Sequence, residues 1–157
     1  MKITNKPLNY KRIDSTVSRS AQPEISNLCW LKKQGVTDII NFRTMIAPSL
    51  NFNEEQTVQK LKMNYHNIPS ISKLPNSKNV GKFLNIIDDV KKRNGRVHIH
   101  CKQGADRTGM YAYIYERLNN IGTEGSRIIE LFKHGYHFER YPKLIDWAMN
   151  FVKQVKK

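Results

Sequence analysis

The residues with the clearest chemical potential lie in the segment VHIHCKQGADRTG, residues 97–109. Cys101 and Arg107 are separated by five residues, and a loop of that length can curl so that successive backbone N–H groups point inward around an anion. A tetrahedral phosphate fits such a cradle, and the guanidinium of Arg107 can donate to two of its oxygens. The positive field favours Cys101 as a thiolate, which is a nucleophile for phosphoryl transfer through a phosphocysteine intermediate.

Further residues of the same segment are predicted to assist this chemistry. The hydroxyl of Thr108 is expected to donate to the thiolate and to stabilise it as the leaving group of the second step. His100 is expected to orient the loop through hydrogen bonds to backbone carbonyl groups. Lys102 either contacts additional phosphate groups or is a solvent-exposed lysine. The other substrate-binding residues predicted in this segment are Gln103, Gly104, Ala105 and Gly109.

The predicted elements place this segment at the junction of a strand and a helix. A strand over residues 96–100 leads into the loop, and a helix over residues 107–120 follows it. Strands that alternate with helices favour an α/β domain with a largely parallel sheet. In the alternative to the catalytic hypothesis, Cys101 simply ends a strand and Arg107 begins an ordinary helix. The other predicted elements are helices over residues 24–34, 53–63, 80–93, 123–133 and 143–154, and strands over residues 36–42 and 65–68.

The composition is typical of one globular domain. The chain has 157 residues, 39% hydrophobic and 25% charged, which predicts a single domain over residues 1–157 with its core at about residues 17–150. Two cysteines cannot form a disulfide scaffold, and Cys29 lies in an apolar helical stripe that is expected in the core. No apolar stretch is long enough to span a membrane, and residues 1–14 do not resemble a signal peptide. A cytoplasmic location is therefore expected, although removal of an export signal would leave the same pattern.

The charge balance predicts a polyanionic partner. Lys and Arg number 27 against 13 Asp and Glu, which gives a formal net charge of +14. Nucleic acid, acidic lipid and a phosphorylated substrate would each be attracted to such a chain. Because the sequence predicts a phosphate cradle, we expect a few cations to converge on one phosphate and the others to form a diffuse field. An anionic membrane surface is then a further candidate partner, and nucleic acid is not favoured.

The segment HCKQGADRTG resembles the signature of the cysteine-dependent protein tyrosine and dual-specificity phosphatases. The segments RSAQP (19–23), GVTDIINFR (35–43) and NYHNIP (64–69) resemble the bacterial dual-specificity-phosphatase-like branch of that superfamily. The resemblance implies a three-layer α/β fold, in which helices flank a central, mostly parallel sheet of four or five strands. It also implies a C-x5-R phosphate-binding loop and neither a metal nor an organic cofactor.

The sequence departs from this family at the general acid. The family places an aspartate on a mobile loop roughly 30 residues before the nucleophile, but the matching loop, IPSISKLP (68–75), has no carboxylate and has Ser72 near the expected position. In one interpretation Asp106 is the acid, as in the similar signature of myotubularin-like lipid phosphatases. The alternative for Asp106 is a helix cap that accepts from a backbone N–H near Gly109. In the second interpretation no dedicated acid exists and good leaving groups are preferred.

Two arginines outside the loop are also predicted to bind substrate. Arg19 lies in the RSAQP segment, where the resemblance implies a position beside the active site. Arg43 ends the strand 36–42, and the carboxyl end of a strand in an open α/β sheet faces the ligand crevice. The alternative for each is an ordinary surface arginine.

The leading functional hypothesis is a phosphatase that hydrolyses phosphomonoesters through Cys101. The candidate substrates are phosphotyrosine or phosphoserine proteins, phosphoinositides and inositol phosphates. A second enzymatic hypothesis is an RNA 5′-phosphatase, since the net charge of +14 would suit RNA. A third is a phosphate-binding module with little turnover, which the missing loop aspartate motivates and the Cys-Arg-Thr set opposes. Oligomeric state is left open by the sequence.

Overall fold

A five-stranded sheet organises the molecule, and the computed structural model describes residues 5–44 and 50–156. The strands are β1 (Lys11–Arg12), β2 (Val17–Ser20), β3 (Asp38–Asn41), β4 (Asn64–Asn67) and β5 (Val97–His100). They lie in the order β1-β2-β5-β3-β4, and every neighbouring pair is parallel except β1 and β2. The predicted α/β class with a mostly parallel sheet is confirmed.

The register brings the ends of three parallel strands to one edge of the sheet. His100, the last residue of β5, lies opposite Ser20 at the end of β2 and Asn41 at the end of β3. The residues that follow these strands therefore meet at the same edge. In an open sheet of this kind, ligands bind at this edge, and Cys101 is the first residue beyond it.

Six helices flank the sheet: α1 (Ile25–Lys33), α2 (Glu54–Lys60), α3 (Ser77–Lys92), α4 (Asp106–Leu118), α5 (Glu124–Lys133) and α6 (Pro142–Val155). Side-chain caps define two of the predicted starts, since Asn53 accepts from the N–H of Gln56 and Thr123 accepts from the N–H of Ser126. Each observed helix begins and ends within three residues of its predicted position. Within the described residues, no helix combines the length and the apolar character that a membrane crossing requires.

Apolar side chains form a separate cluster on each face of the sheet. Ile39 and Ile40 are consecutive in β3 and belong to different clusters, because neighbouring strand residues point to opposite faces. The cluster around Ile39 packs beneath α1 and α2 and includes Leu28 and Val58. The larger cluster around Ile40 contains residues of α3, α4, α5 and α6, among them Phe83, Tyr111, Leu131 and Ala148.

The structure adds two strands that the sequence did not predict. β2 has the sequence VSRS and is buried throughout, although it contains two serines and Arg19. A strand of this kind lacks the apolar signal by which buried strands are predicted. Cys29 also differs from expectation, because it is only half-buried on α1 rather than in the core.

Candidate active site

The loop between β5 and α4 begins with Cys101, whose side chain is buried with 2% of its surface exposed. Gly104 gives the loop its turn, with φ of +73°. A β-carbon at this position would lie 2.6 Å from backbone atoms of Ser20 and Ala21. Only glycine therefore allows the loop to lie this close to the end of β2.

Donors outside the loop bind its carbonyl groups. Arg19 Nη2 donates to Gly104 O at 2.8 Å, Asn9 Nδ2 donates to Gln103 O at 3.1 Å, and the backbone N–H of Gln22 donates to Lys102 O at 3.0 Å. The N–H groups of residues 102–106 have no acceptor within residues 5–44 and 50–156. Carbonyls bound on the outside and unpaired N–H groups are the arrangement of an anion-binding loop.

The loop forms one wall of a cavity of about 350 Å³. Cys101 and Arg107, at the two ends of the loop, both line this cavity. Arg107 makes one long hydrogen bond, from Nη1 to Ser70 O at 3.4 Å. The remaining lining residues are Lys102, Gln103, Asp106, Thr44, Ser70, Ile71, Ser72, Lys73, His137, Arg140 and Tyr141.

Among the described residues that line the cavity, Asp106 is the one carboxylate, and both of its oxygens contact His137. The backbone N–H of His137 donates to Oδ1 at 2.9 Å, and His137 Nδ1 lies 2.9 Å from Oδ2. Ala105, not Asp106, is the N-cap of α4, and Asp106 accepts no hydrogen bond from Gly109. The interpretation of Asp106 as a helix cap is therefore wrong, and the side chain is held at the cavity instead.

His100 connects the loop to α2. Its Nδ1 lies 3.2 Å from Cys101 O, and its Nε2 lies 2.7 Å from Glu54 Oε2. Burial alone would raise the pKa of Glu54, but the charge and hydrogen bond of His100 and a hydrogen bond from Gln22 outweigh it and lower the pKa. The ionised Glu54 thus anchors His100, and His100 contacts the carbonyl of the candidate nucleophile.

A second buried carboxylate supports the loop through Arg19. Arg19 is fully buried, and its Nη1 donates to Glu130 Oε2 at 3.0 Å. Burial, followed by hydrogen bonding to Glu130 and the charge of Glu130, raises the pKa of Glu116 to about 8. Burial would also raise the pKa of Glu130, but hydrogen bonds from Glu116 and Lys11 lower it. A neutral Glu116 therefore donates to an ionised Glu130, which binds Arg19.

Thr108 occupies the first turn of α4 directly beneath the loop. Its side chain is completely buried. Its Oγ1 has no hydrogen-bond partner within the described part of the chain. Burying a hydroxyl without a hydrogen-bond partner costs free energy. We therefore expect a ligand or a reactive group to accept a hydrogen bond from Thr108.

A model of the family described as "DSP-PTPase phosphatase fused to NAD+ Kinase" matches residues 4–126. The chain belongs to this family. It is therefore a cysteine-dependent phosphatase of the tyrosine and dual-specificity type, a phosphoric monoester hydrolase. No curated protein matches the chain at a significant level.

Solved structures of other phosphatases share the fold of this one. The structure of P. aeruginosa TpbA in complex with pTyr has a TM-score of 0.71 at 17% identity, and the match covers 93% of this chain and 91% of that one. The core catalytic domain of the S. cerevisiae PP-IP phosphatase SIW14 has a TM-score of 0.71 at 18% identity, over 94% and 85% of the two chains. PTPMT1 has a TM-score of 0.77 at 19% identity, over 94% and 96%.

Three predicted substrate-binding residues of the phosphatase lie behind the cavity rather than on its wall. Arg19 is fully buried and binds the back of the loop. Arg43 is almost buried and its Nη1 donates to Gln22 Oε1 at 3.0 Å. Gly109 allows α4 to pack against α5, since a β-carbon there would lie 2.9 Å from Leu131 Cδ2. None of the three is among the described residues that line the cavity, and Arg19 is the one of them that binds a carbonyl of the loop in the described part of the chain.

The remaining predicted residues of the phosphatase fall into two groups. Lys102 and Gln103 have exposed side chains on the cavity wall. Gly104 and Ala105 are buried and do not line the cavity. Sequence reasoning missed His137, Glu54, Glu130 and Asn9, because each is tied to the loop only by the fold. For His137 the available signal was weak: a histidine in the aromatic segment GYHFERY (135–141) after a predicted helix.

Proposed function

We propose that the phosphatase hydrolyses phosphomonoesters through a phosphocysteine intermediate on Cys101. The observation that supports this most directly is the loop itself. Cys101 and Arg107 line one cavity, and the N–H groups between them have no acceptor among the described residues. A phosphoryl group bound by those N–H groups and by Arg107 would lie against the sulfur at the start of the loop.

In the first step the Cys101 thiolate attacks phosphorus. The S–P bond forms while the P–O bond to the leaving group breaks, and the electron pair of that bond goes to the leaving oxygen. An alkoxide leaves slowly unless it is protonated, so the Asp106–His137 pair supplies a proton to this oxygen. Arg107 and the loop N–H groups stabilise the charge on the three transferred oxygens.

In the second step water attacks the phosphocysteine. The new O–P bond forms as the S–P bond breaks, the pair that protonated the leaving group accepts the proton of the water, and inorganic phosphate is released. The sulfur departs as a thiolate. The unpartnered hydroxyl of Thr108 is the group that donates to it.

The charges of the cavity favour a substrate with more than one phosphate. Four cations line it, whereas Asp106 is the one carboxylate that the structure describes on its wall; the cations are Lys73, Lys102, Arg107 and Arg140. An inositol polyphosphate, free or as a lipid headgroup, would place further phosphates near these cations. The fold shared with the PP-IP phosphatase SIW14 supports this class. The fold shared with TpbA, solved with pTyr, supports phosphotyrosine as the second candidate.

The proposal is tested by comparing wild type, Cys101→Ser and Cys29→Ser on p-nitrophenyl phosphate. Cys29 is the other free cysteine and lies on α1, away from the cavity, so it controls for loss of a thiol. Cys101→Ser is expected to abolish turnover and Cys29→Ser to preserve it. Acid-quenched protein incubated with substrate should carry one phosphoryl group that Cys101→Ser lacks.

A substrate panel then ranks the classes. Inositol polyphosphates, vesicles containing phosphoinositides, phosphotyrosine peptides and 5′-triphosphorylated RNA are compared by kcat/KM at one ionic strength. We expect the inositol polyphosphate or the phosphoinositide to rank first. A chain that binds these ligands but hydrolyses none of them, and no aryl phosphate either, would be a phosphate-binding module instead.

A further inference from the structure

Both carboxylate oxygens of Asp106 contact His137. Both hydrogen-bond donors come from one residue, the backbone N–H and the Nδ1 of His137. Each carboxylate oxygen is thus directed to the same neighbouring residue. This is the geometry of a group that orients its partner.

His137 has the complementary geometry. Its Nδ1 is held by Asp106, which leaves Nε2 on the opposite side of the ring. Within residues 5–44 and 50–156 no group hydrogen-bonds to this Nε2. The side chain is 32% exposed and lines the same cavity as Cys101 and Arg107. A carboxylate on one ring nitrogen and an unpartnered nitrogen at the site is the arrangement of a histidine acid–base catalyst.

We propose that His137 is the catalytic acid of this phosphatase and that Asp106 is its positioning residue. This inference rests on the proposed phosphocysteine reaction. As the P–O bond breaks, the Nε2–H of His137 gives its proton to the leaving oxygen, and the neutral ring then accepts the proton of the attacking water. Ser72, on the loop where the family aspartate is missing, has a hydroxyl that ionises far too weakly for this role.

The charges around His137 come from several elements. Asp106 on α4 places a carboxylate against Nδ1, and the phosphoryl group of the substrate adds negative charge to the cavity when it binds. The cations that line the same cavity have the opposite sign, and that phosphoryl group offsets part of their charge in the complex. These groups are Arg107 on α4, Lys102 on the nucleophile loop, Lys73 on the loop after β4, and Arg140, next to the neutral Tyr141, in the segment of His137 itself.

Two substitutions separate an acid from a residue that only holds Asp106. His137→Asn replaces Nδ1 by an amide N–H that still donates to Asp106, but it removes Nε2. His137→Ala removes both. If His137 is the acid, both variants lose about 100-fold in kcat/KM on an alkyl phosphate. The kcat/KM on p-nitrophenyl phosphate, whose leaving group needs no proton, changes by less than about threefold, because kcat/KM does not include the later attack of water on the phosphocysteine.

Two further readouts complete the test. The plot of log kcat/KM against leaving-group acidity should be steeper for both variants than for wild type, and added imidazole should restore alkyl phosphate turnover in His137→Ala. Wild-type activity of His137→Asn on alkyl phosphates would overturn the proposal and would make Asp106 the catalytic acid instead. An equal loss on both substrate types, without imidazole rescue, would also overturn it, because it would indicate a structural role.

Failure of the reaction itself is distinguishable from failure of this inference. If wild type does not hydrolyse p-nitrophenyl phosphate, or Cys101→Ser does, the phosphocysteine reaction is wrong. If those two results are as expected and the His137 variants behave as wild type, the reaction stands and the assignment of the acid is wrong. Thermal melting of both variants verifies that they are folded at the assay temperature.

Discussion

The two ends of the parallel strands differ in whether their buried polar groups have hydrogen-bond partners. At the amino end of β3, burial alone would raise the pKa of Asp38, but hydrogen bonds from His66, Thr37 and Arg93 outweigh it and hold the pKa at about 2. At the carboxyl end, Thr108 Oγ1 and Arg19 Nε are buried without a partner in the described part of the chain. Complete pairing therefore marks the end that stabilises the fold, and incomplete pairing marks the end that we expect to bind and react.

The largest expected effect is the loss of activity on replacing Arg107, at the carboxyl end of the strands. Arg107→Lys should lower kcat/KM on p-nitrophenyl phosphate by about 10²–10³-fold, because a lysine cannot donate to two phosphate oxygens at once. The melting temperature should change little, since the single long bond to Ser70 O is all that Arg107 makes within the described residues. Arg12→Lys, at an exposed site, is the control. If Arg107→Lys lost much stability and little activity, Arg107 would be a residue that stabilises the fold and not one that binds phosphate.

The next largest effect is the loss of stability on replacing Asp38, at the amino end of the strands. Asp38→Ala should lower the free energy of unfolding by about 3 kcal/mol, because it leaves the groups that donated to a buried carboxylate without a partner. The kcat of the folded protein should not change. Because folding lowers the pKa of Asp38 from 3.8 to about 2, its contribution is present above about pH 4 and lost as the pH falls towards 2. Urea unfolding of both proteins across this pH range should show the difference shrinking.

Two threonines provide a matched pair across the sheet. Thr37 Oγ1 donates to Asp38 Oδ1 at 2.7 Å and accepts from the N–H of Arg96 at 3.1 Å, whereas Thr108 Oγ1 has no partner in the described residues. Thr37→Val should lower the free energy of unfolding by about 1–2 kcal/mol and leave kcat unchanged. Thr108→Val should leave stability unchanged or raised and lower kcat by about 10-fold. If the two substitutions lowered stability equally, the amino and carboxyl ends of the strands would not differ in the way proposed.

The last effect concerns Glu116 and appears as a slope of stability against pH. Folding raises the pKa of Glu116 from 4.5 to about 8, chiefly through burial and then through Glu130. The stability that its neutral form contributes is therefore complete below about pH 4.5 and is lost as the pH rises to about 8, by at most about 1.4 kcal/mol per pH unit. Glu116→Gln should weaken this dependence. Thermal melting of both proteins between pH 5 and pH 9 measures it, and parallel curves would show that Glu116 is ionised throughout.

The sequence predicted the parts of the site that are continuous along the chain. Cys101, Arg107 and Thr108 belong to one strand–loop–helix segment, so their spacing alone indicates an anion-binding loop. Helix starts such as Asn53 were also predictable, because the capping side chain and the backbone N–H that donates to it are three residues apart. Local patterns are sufficient wherever the contact is local.

The rest of the site depends on contacts that no local pattern contains. Arg19 and Glu130 are 111 positions apart, and His137 and Asp106 are 31 apart. β2, which carries Arg19, has no apolar alternation, so neither the strand nor the buried arginine could be predicted. The position of Arg43 just beyond the carboxyl end of a strand was predicted. The direction of the Arg43 side chain, towards Gln22, could not be predicted, because it depends on how distant segments pack.

The hydrogen bonds behind the nucleophile loop also constrain how the protein is made. Donors from residues 9–22 bind the carbonyls of residues 102–104, and Glu130 in turn holds Arg19. During synthesis the ribosome completes the Cys101 to Arg107 loop well before it has made Glu130 and His137. Residues 9–22 therefore remain without these partners until the loop and α5 have been made, and the enzyme becomes competent only when α5 and the segment after it have left the exit tunnel.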